Sequence, residues 1–343
     1  SGCYNRHPLR LVSQVMQEKD MYIIGGIHMH IGLFTDGLAA YSLEDTLATC
    51  EKLGIKGVEL GCGGWSPMSH VPADDLLSGK LSAEEYLKPF KAHDIQIDAL
   101  NGAGNVLHPI EGKKDREILT KAFKIASMLG VKTVVANSGL PAGGPNDERP
   151  NWVTTHWPPE NYDILDYQWN TVAIPTWKEI AEEARSYGVR IAFELHPTCL
   201  VYNLQTFERL CEGVGDCKDV LGINMDPSHM MWMGGDGRDI IKAAPESIFH
   251  VHLKDCVFHK QLQMVNGNLD NKKGADMAAR SWSFDVPGKG RDAAWWTSFL
   301  EELNHAGYNG ILSIELEDYT GFPKNPLAEG VAFMKPLAAT YPD

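Results

Sequence analysis

The chain has 343 residues, 43% of them hydrophobic, and its 45 acidic and 31 basic side chains give a formal net charge of -14. That balance argues against a nucleic-acid or membrane-surface partner, because phosphates call for clustered Lys and Arg. No apolar run is long enough to span a bilayer, and the seven cysteines contain no Cys-x-x-Cys pair, so the expectation is a soluble, reduced, cytoplasmic protein.

Residues 1–20 read as a helical or irregular leader without a signal-peptide core. Met21 to His30 is the first predicted strand, with a polar ending at His28 and His30. A helix follows from Ser42, an N-cap with Glu44 and Asp45 in its first turn, and Gly54 stops it. Gly57 to Gly61 is strand two, Ser82 to His93 a helix, Ile95 to Asn101 strand three, Asp115 to Leu129 a helix, and Val131 to Asn137 strand four. Residues 138–170, rich in Pro, Gly, Asn and Trp, interrupt the rhythm as an insertion of the kind that forms lids or binding loops. The alternation resumes with a helix from Thr176 to Tyr187 and with strand five, Arg190 to His196. Strand six starts at Leu221, strand seven at Ile248 and strand eight at Ile311, with helices over Leu204–Cys211, Gly237–Ala244, Ala293–Ala306 and Leu327–Leu337. A second insertion covers 257–285.

Eight strands, apolar enough to be buried on both faces and alternating with helices, predict a single-domain (β/α)8 TIM barrel over 1–343. The competing open doubly wound sheet lacks its Gly-x-Gly-x-x-Gly turn. Such barrels carry their chemistry at the C-terminal ends of the strands. Strands five to eight each end in a hard metal ligand there: Glu194, Asp226, His252 and Glu315. Three carboxylates and one imidazole suit a divalent ion such as Mn2+, with Mg2+, Co2+ or Zn2+ also compatible.

His196 shares a strand face with Glu194, His229 lies three residues past Asp226, and Lys254 shares a face with His252. These are candidates for protonating a leaving group or binding substrate; a salt bridge to Asp255 or Glu315 is the structural alternative for Lys254. Glu317 is the alternative fourth ligand. His28, His30, Glu59, Asn105 and His108 end the first three strands and are expected on the opposite wall. Trp152, Trp157 and Trp169 in the first insertion suit stacking on a sugar ring or aglycone. Gly288-Lys-Gly-Arg291 is the one candidate phosphate turn.

The order Glu194, Asp226-x-x-His229, His250-x-His252 and Glu315 resembles the xylose-isomerase-like TIM-barrel superfamily, and within it the sugar phosphate isomerase/epimerase branch that includes ketose 3-epimerases. Pro287-Gly-Lys-Gly290 matches a turn common there. The resemblance implies that Glu194, Asp226, His252 and Glu315 hold one metal, that the two glutamates form the acid/base pair, and that His229 binds substrate. The family arginine six residues after the metal histidine falls at Phe258, and His196 stands where the epimerases have no histidine. Glu-x-His-Pro with a Trp-Pro-Pro insertion is similar to relatives acting on 3-keto-glycosides, some of which break carbon–glycoside bonds.

The expected activity is a metal-dependent sugar isomerase or epimerase working through an enediolate on a keto-sugar or 3-keto-glycoside. A lyase that cleaves a C-glycoside or dehydrates a keto-sugar shares its first step. An apurinic-site endonuclease fits less well, because residues 253–290 contain no Asp-x-His and the charge is strongly negative. A non-catalytic barrel subunit is the remaining alternative. The expected partners are a small sugar or glycoside and further copies of the chain, with a smaller partner subunit as a variant.

Overall fold

The computed structural model describes residues 29–274, 276–317 and 325–341. Its strands are β1 (His30–Phe34), β2 (Gly57–Gly61), β3 (Gln96–Asn101), β4 (Thr133–Ala136), β5 (Arg190–Glu194), β6 (Leu221–Met225), β7 (Ile248–Leu253), β8 (Asp255–Phe258), β9 (Trp282–Asp285) and β10 (Ile311–Ile314). Eight of them close a parallel barrel in the order β1-β10-β7-β6-β5-β4-β3-β2, while β8 and β9 form a separate antiparallel hairpin. The chain is therefore a (β/α)8 TIM barrel.

Local chemistry explains the elements. The barrel strands are four to six residues of mostly branched or small side chains and are buried on both faces, as a sheet ringed by helices requires. Ser42 accepts the Asp45 N–H at 3.1 Å at one helix start, and Ser82 and Glu85 form a reciprocal capping box at the next. The helix Gly112–Leu129 turns its apolar face inward and ends at Gly130, whose φ of 74° closes the αL cap.

Two expectations are corrected, and two elements are added. The first strand begins at His30 rather than ending there, so His30 sits at the N-terminal end of the barrel, with Nε2 3.1 Å from Asp98 and 3.2 Å from Gln96. It is not part of the opposite wall, and His28 lies outside the described residues. The first insertion is shorter than the composition suggests: a helix starts at Glu160 and runs through a wide turn at Tyr167–Ala173 into Ile174–Ser186. Pro175 lies at the start of Ile174–Ser186, and the wide turn before it leaves no N–H wanted where proline has none. The second insertion contains the β8–β9 hairpin and the helix Lys260–Asn266. Finally, the short helix Pro227–Met233 follows β6 directly, capped by Asp226.

Candidate active site

The four predicted ligands meet at one end of the barrel. Glu194 is the last residue of β5, Asp226 and Glu315 follow β6 and β10 directly, and His252 is one residue short of the end of β7. One ligand atom from each lies within 4.8 Å of the others. His252 and Asp226 are 0% and 1% exposed, so the cluster is sunk beneath the barrel mouth.

Each side chain is fixed by a second interaction. Asp226 Oδ1 accepts from Ser228 N–H at 2.9 Å and Ser228 O–H at 2.7 Å, capping the helix that carries His229. Its Oδ2 makes no hydrogen bond, although Lys254 Nζ is 3.1 Å away. His252 donates through Nε2 to Glu59 at 2.9 Å. That leaves Nδ1, also without a hydrogen bond, directed to the cluster 3.1 Å from Glu315 Oε2. Two orphaned buried atoms of metal-ligand type, with two further carboxylates beside them, match what a divalent cation would satisfy. The donor set, three oxygens and one nitrogen, fits such an ion.

Glu59 lies under this cluster, not beside a substrate. It is 0% exposed, and its carboxylate accepts from Asn101, His250, His252 and Ser313 at 2.7–2.9 Å. Burial alone would raise its pKa, but the His252 and His250 rings overcome that and hold it well below the usual carboxylate range. Of the two readings of Glu59, a wall residue that meets substrate or an ordinary buried carboxylate, the geometry matches the second, in a supporting position.

Lys254 is 1% exposed and its ammonium bridges Glu315 and Glu317, each at 2.6 Å. Despite burial, Asp226, Glu315 and Glu317 raise its pKa well above the ordinary value, so it is a permanent counter-charge. It does not pair with Asp255. That carboxylate instead accepts the N–H groups of Gly288, Gly290 and Arg291 at 2.9–3.0 Å, filling the turn that sequence offered as a phosphate cradle. His229 Nε2 is 2.8 Å from Glu194 Oε1, and its ring lies 4.4 Å from that of His196. Burial drives the His229 imidazole down to about 3, which keeps it neutral.

Above the cluster opens a cavity of about 430 Å³, walled by Glu194, His196, Glu315 and Glu317 on one side and by Asp36, Trp65 and Ser66 on another. Asn105, His108 and Trp157 are not part of it. Asn105 clamps the backbone of Leu107 and Leu140. His108 accepts from Ile110 and Glu111 N–H in a separate recess, and Trp157 is 70% exposed away from the site. Asp36, Ser66 and Asn137 are wall residues that sequence reading missed. Placing the first strand at residues 30–34 would have put Asp36 at a strand end and revealed it.

Residues 47–337 match the xylose isomerase-like TIM barrel family. The uncharacterized protein YfiH of Bacillus subtilis is 41% identical over 311 residues, covering 90% of this chain and 98% of that protein. An inosose isomerase of Halalkalibacterium halodurans is 31% identical over 140 residues, 40% of this chain and 43% of that enzyme. An inosose dehydratase of Clostridium perfringens is 24% identical over 174 residues, 51% of this chain and 55% of that enzyme. The fold is also that of a solved IolI protein with a bound zinc atom (TM-score 0.63, 21% identity, 91% of this chain and 99% of that one). An L-ribulose 3-epimerase structure matches with TM-score 0.59 at 16% identity, covering 91% of this chain and 95% of that one.

Proposed function

This chain belongs to the xylose isomerase-like TIM-barrel family, and from that membership we propose that it is a divalent-metal-dependent isomerase or epimerase of a keto-sugar or 3-keto-glycoside. The observation that carries the reading is the convergence of Glu194, Asp226, His252 and Glu315 within 4.8 Å at the barrel mouth. These residues would hold the ion, which when bound supplies Lewis-acid polarisation of adjacent carbonyl and hydroxyl oxygens.

The side chains do the rest. Glu194 and Glu315 come from β5 and β10, which are separated by β6 and β7 around the ring, and both line the cavity. One is placed to take the proton from the carbon beside the carbonyl, and the other to return a proton to the enediolate. Lys254, 2.6 Å away, holds Glu315 ionised against its burial. His229, neutral and 2.8 Å from Glu194, orients that base. Return of the proton to the opposite face epimerises the carbon, and return to the neighbouring carbon isomerises the sugar.

A dehydratase variant of the same first step is favoured by one further observation. His196 lines the cavity on the Glu194 side, where it can protonate a departing hydroxyl or glycosidic oxygen. Partial similarity to inosose dehydratases supports it as the second reading.

The deciding experiment is proton NMR of candidate substrates in deuterated water with Mn2+ removed before observation. Wild type should incorporate deuterium beside the carbonyl, and Glu194→Gln should retain the fold and lose incorporation. Unchanged incorporation in the variant removes Glu194 from the base role.

A further inference from the structure

A second cavity, of about 730 Å³, opens between the first insertion and the helix Leu204–Val214 that follows β5. It shares no lining residue with the cavity above Glu194 and Glu315, and its volume falls within the roughly 300–1,000 Å³ of small-molecule sites. Trp152, Tyr162, Trp169 and Tyr202 give it an aromatic wall, with Leu165 and Leu200 beside them. Trp169 is 2% exposed and Tyr162 is 61% exposed, so the cavity runs from the core to the surface. The wall is preformed. Gln168, itself buried, brings Nε2 to 2.6 Å from the Asn151 carbonyl and 3.2 Å from those of Pro141 and Ala142, which pins the loop that carries Trp152. Trp152 then meets the Tyr202 ring edge-on at 5.6 Å.

Arg209 is the one permanently charged side chain that lines this cavity, and no Asp or Glu does. Its guanidinium carbon lies 4.5 Å from the centroid of the Trp169 ring. That contact engages the charge and none of the N–H donors, and among the described residues Arg209 makes no hydrogen bond or ion pair. Asp166, whose charge reaches it, accepts instead from the Asn170 amide at 2.7 Å. The buried Nε1 of Trp152 also has no hydrogen-bond partner. The cavity thus combines an apolar, aromatic interior with donors that lack acceptors.

We propose that this cavity binds a small aromatic carboxylate, with the ring among Trp152, Tyr162 and Tyr202 and the carboxylate on Arg209. A guanidinium presents its N–H groups as a fork that fits both oxygens of a carboxylate. Its seat over Trp169 removes part of the ordering cost of that bond. Aromatic walls add edge and offset contacts to a ligand ring, which an aliphatic acid does not supply. With no acidic side chain in the wall, a single negative charge meets one positive partner and no repulsion from the lining. The site stands apart from the metal-ligand cluster, so the assignment holds whether or not the proposed reaction does.

The test is isothermal titration of the full chain with phenylacetate, phenylacetamide and acetate, for wild type, Arg209→Gln and Arg209→Lys, each with and without EDTA. Wild type should bind phenylacetate saturably, about tenfold or more tighter than the neutral amide, and should give no binding heat with acetate. Arg209→Gln should remove that preference and leave amide binding unchanged. Arg209→Lys keeps the charge without the fork, should retain only part of the preference, and carries the comparison if Arg209→Gln does not fold. EDTA should change nothing, because Arg209 and not a metal ion holds the carboxylate. Equal binding of acid and amide, binding of neither, or an unchanged ratio in Arg209→Gln overturns the assignment. Loss of phenylacetate binding in EDTA overturns it too, by placing the acid on the metal-ligand cluster.

Discussion

Glu59 and His252 are joined across the floor of the barrel by a 2.9 Å hydrogen bond that fixes which face of the imidazole looks into the site. With Nε2 committed to the carboxylate, Nδ1 is the atom presented to Glu194, Asp226 and Glu315. Glu59→Gln replaces an acceptor by a group that must place an NH2 among four donors. It should weaken divalent-metal binding about 10- to 100-fold and cost about 3 kcal/mol of stability. Metal titration calorimetry and chemical denaturation read the two effects; unchanged metal affinity would remove Glu59 from the positioning role.

Metal should stabilise the fold in proportion to its occupancy. At a concentration about 100 times Kd, a divalent ion bound only by the native state adds about 2.7 kcal/mol, a rise of several degrees in Tm. Asp226→Asn keeps an oxygen to cap the helix at Pro227 but removes the charge from the ligand side. The variant should fold, with a melting temperature that no longer responds to chelator or added Mn2+.

Asp36 gives the stability a pH dependence of known sign. Burial, with Glu59 and Glu315 nearby, pushes its carboxyl from 3.8 up to about 6 despite the Ser66 hydrogen bond. The native state therefore holds more protons than the unfolded one between those values, and this contribution to stability falls as pH rises through that window. The penalty above pH 6 amounts to at most about 3 kcal/mol. Asp36→Asn should be more stable than wild type at pH 7.5, with the difference vanishing toward pH 4, as read by urea denaturation at the two pH values.

Asp255 tests the filled turn. Its carboxylate is 0% exposed and satisfies three backbone N–H groups of Gly288, Gly290 and Arg291. Asp255→Ala orphans all three and should cost about 3 kcal/mol or more. Inorganic phosphate should not raise the melting temperature of the wild type, because the nest has its anion built in.

The polar endings of β5, β6, β7 and β10 were readable because each follows a short apolar run, and period-two alternation on a strand puts Glu194 and His252 on the barrel side. Asp36 was hidden because the predicted first strand ended at His30, whereas β1 runs from His30 to Phe34; the earlier part of that prediction, 21–28, lies outside the described residues. Trp157 and His108 misled for the opposite reason. Their residue types suit a sugar site, but loop conformation turns one outward and gives the other to backbone capping.

The sequence by itself determined the alternation of strands and helices, the barrel, the side of the barrel that carries chemistry, and the four residues gathered there, because these follow from periodicity and strand direction. Tertiary structure decided which carboxylates face the cavity and which support it from below. Glu59 and Glu194 both stand on barrel strands, yet the closed ring places one among four buried donors and the other at the open mouth. Depth along the barrel axis depends on how neighbouring strands stagger, and stagger is set by pairing partners far away in the chain.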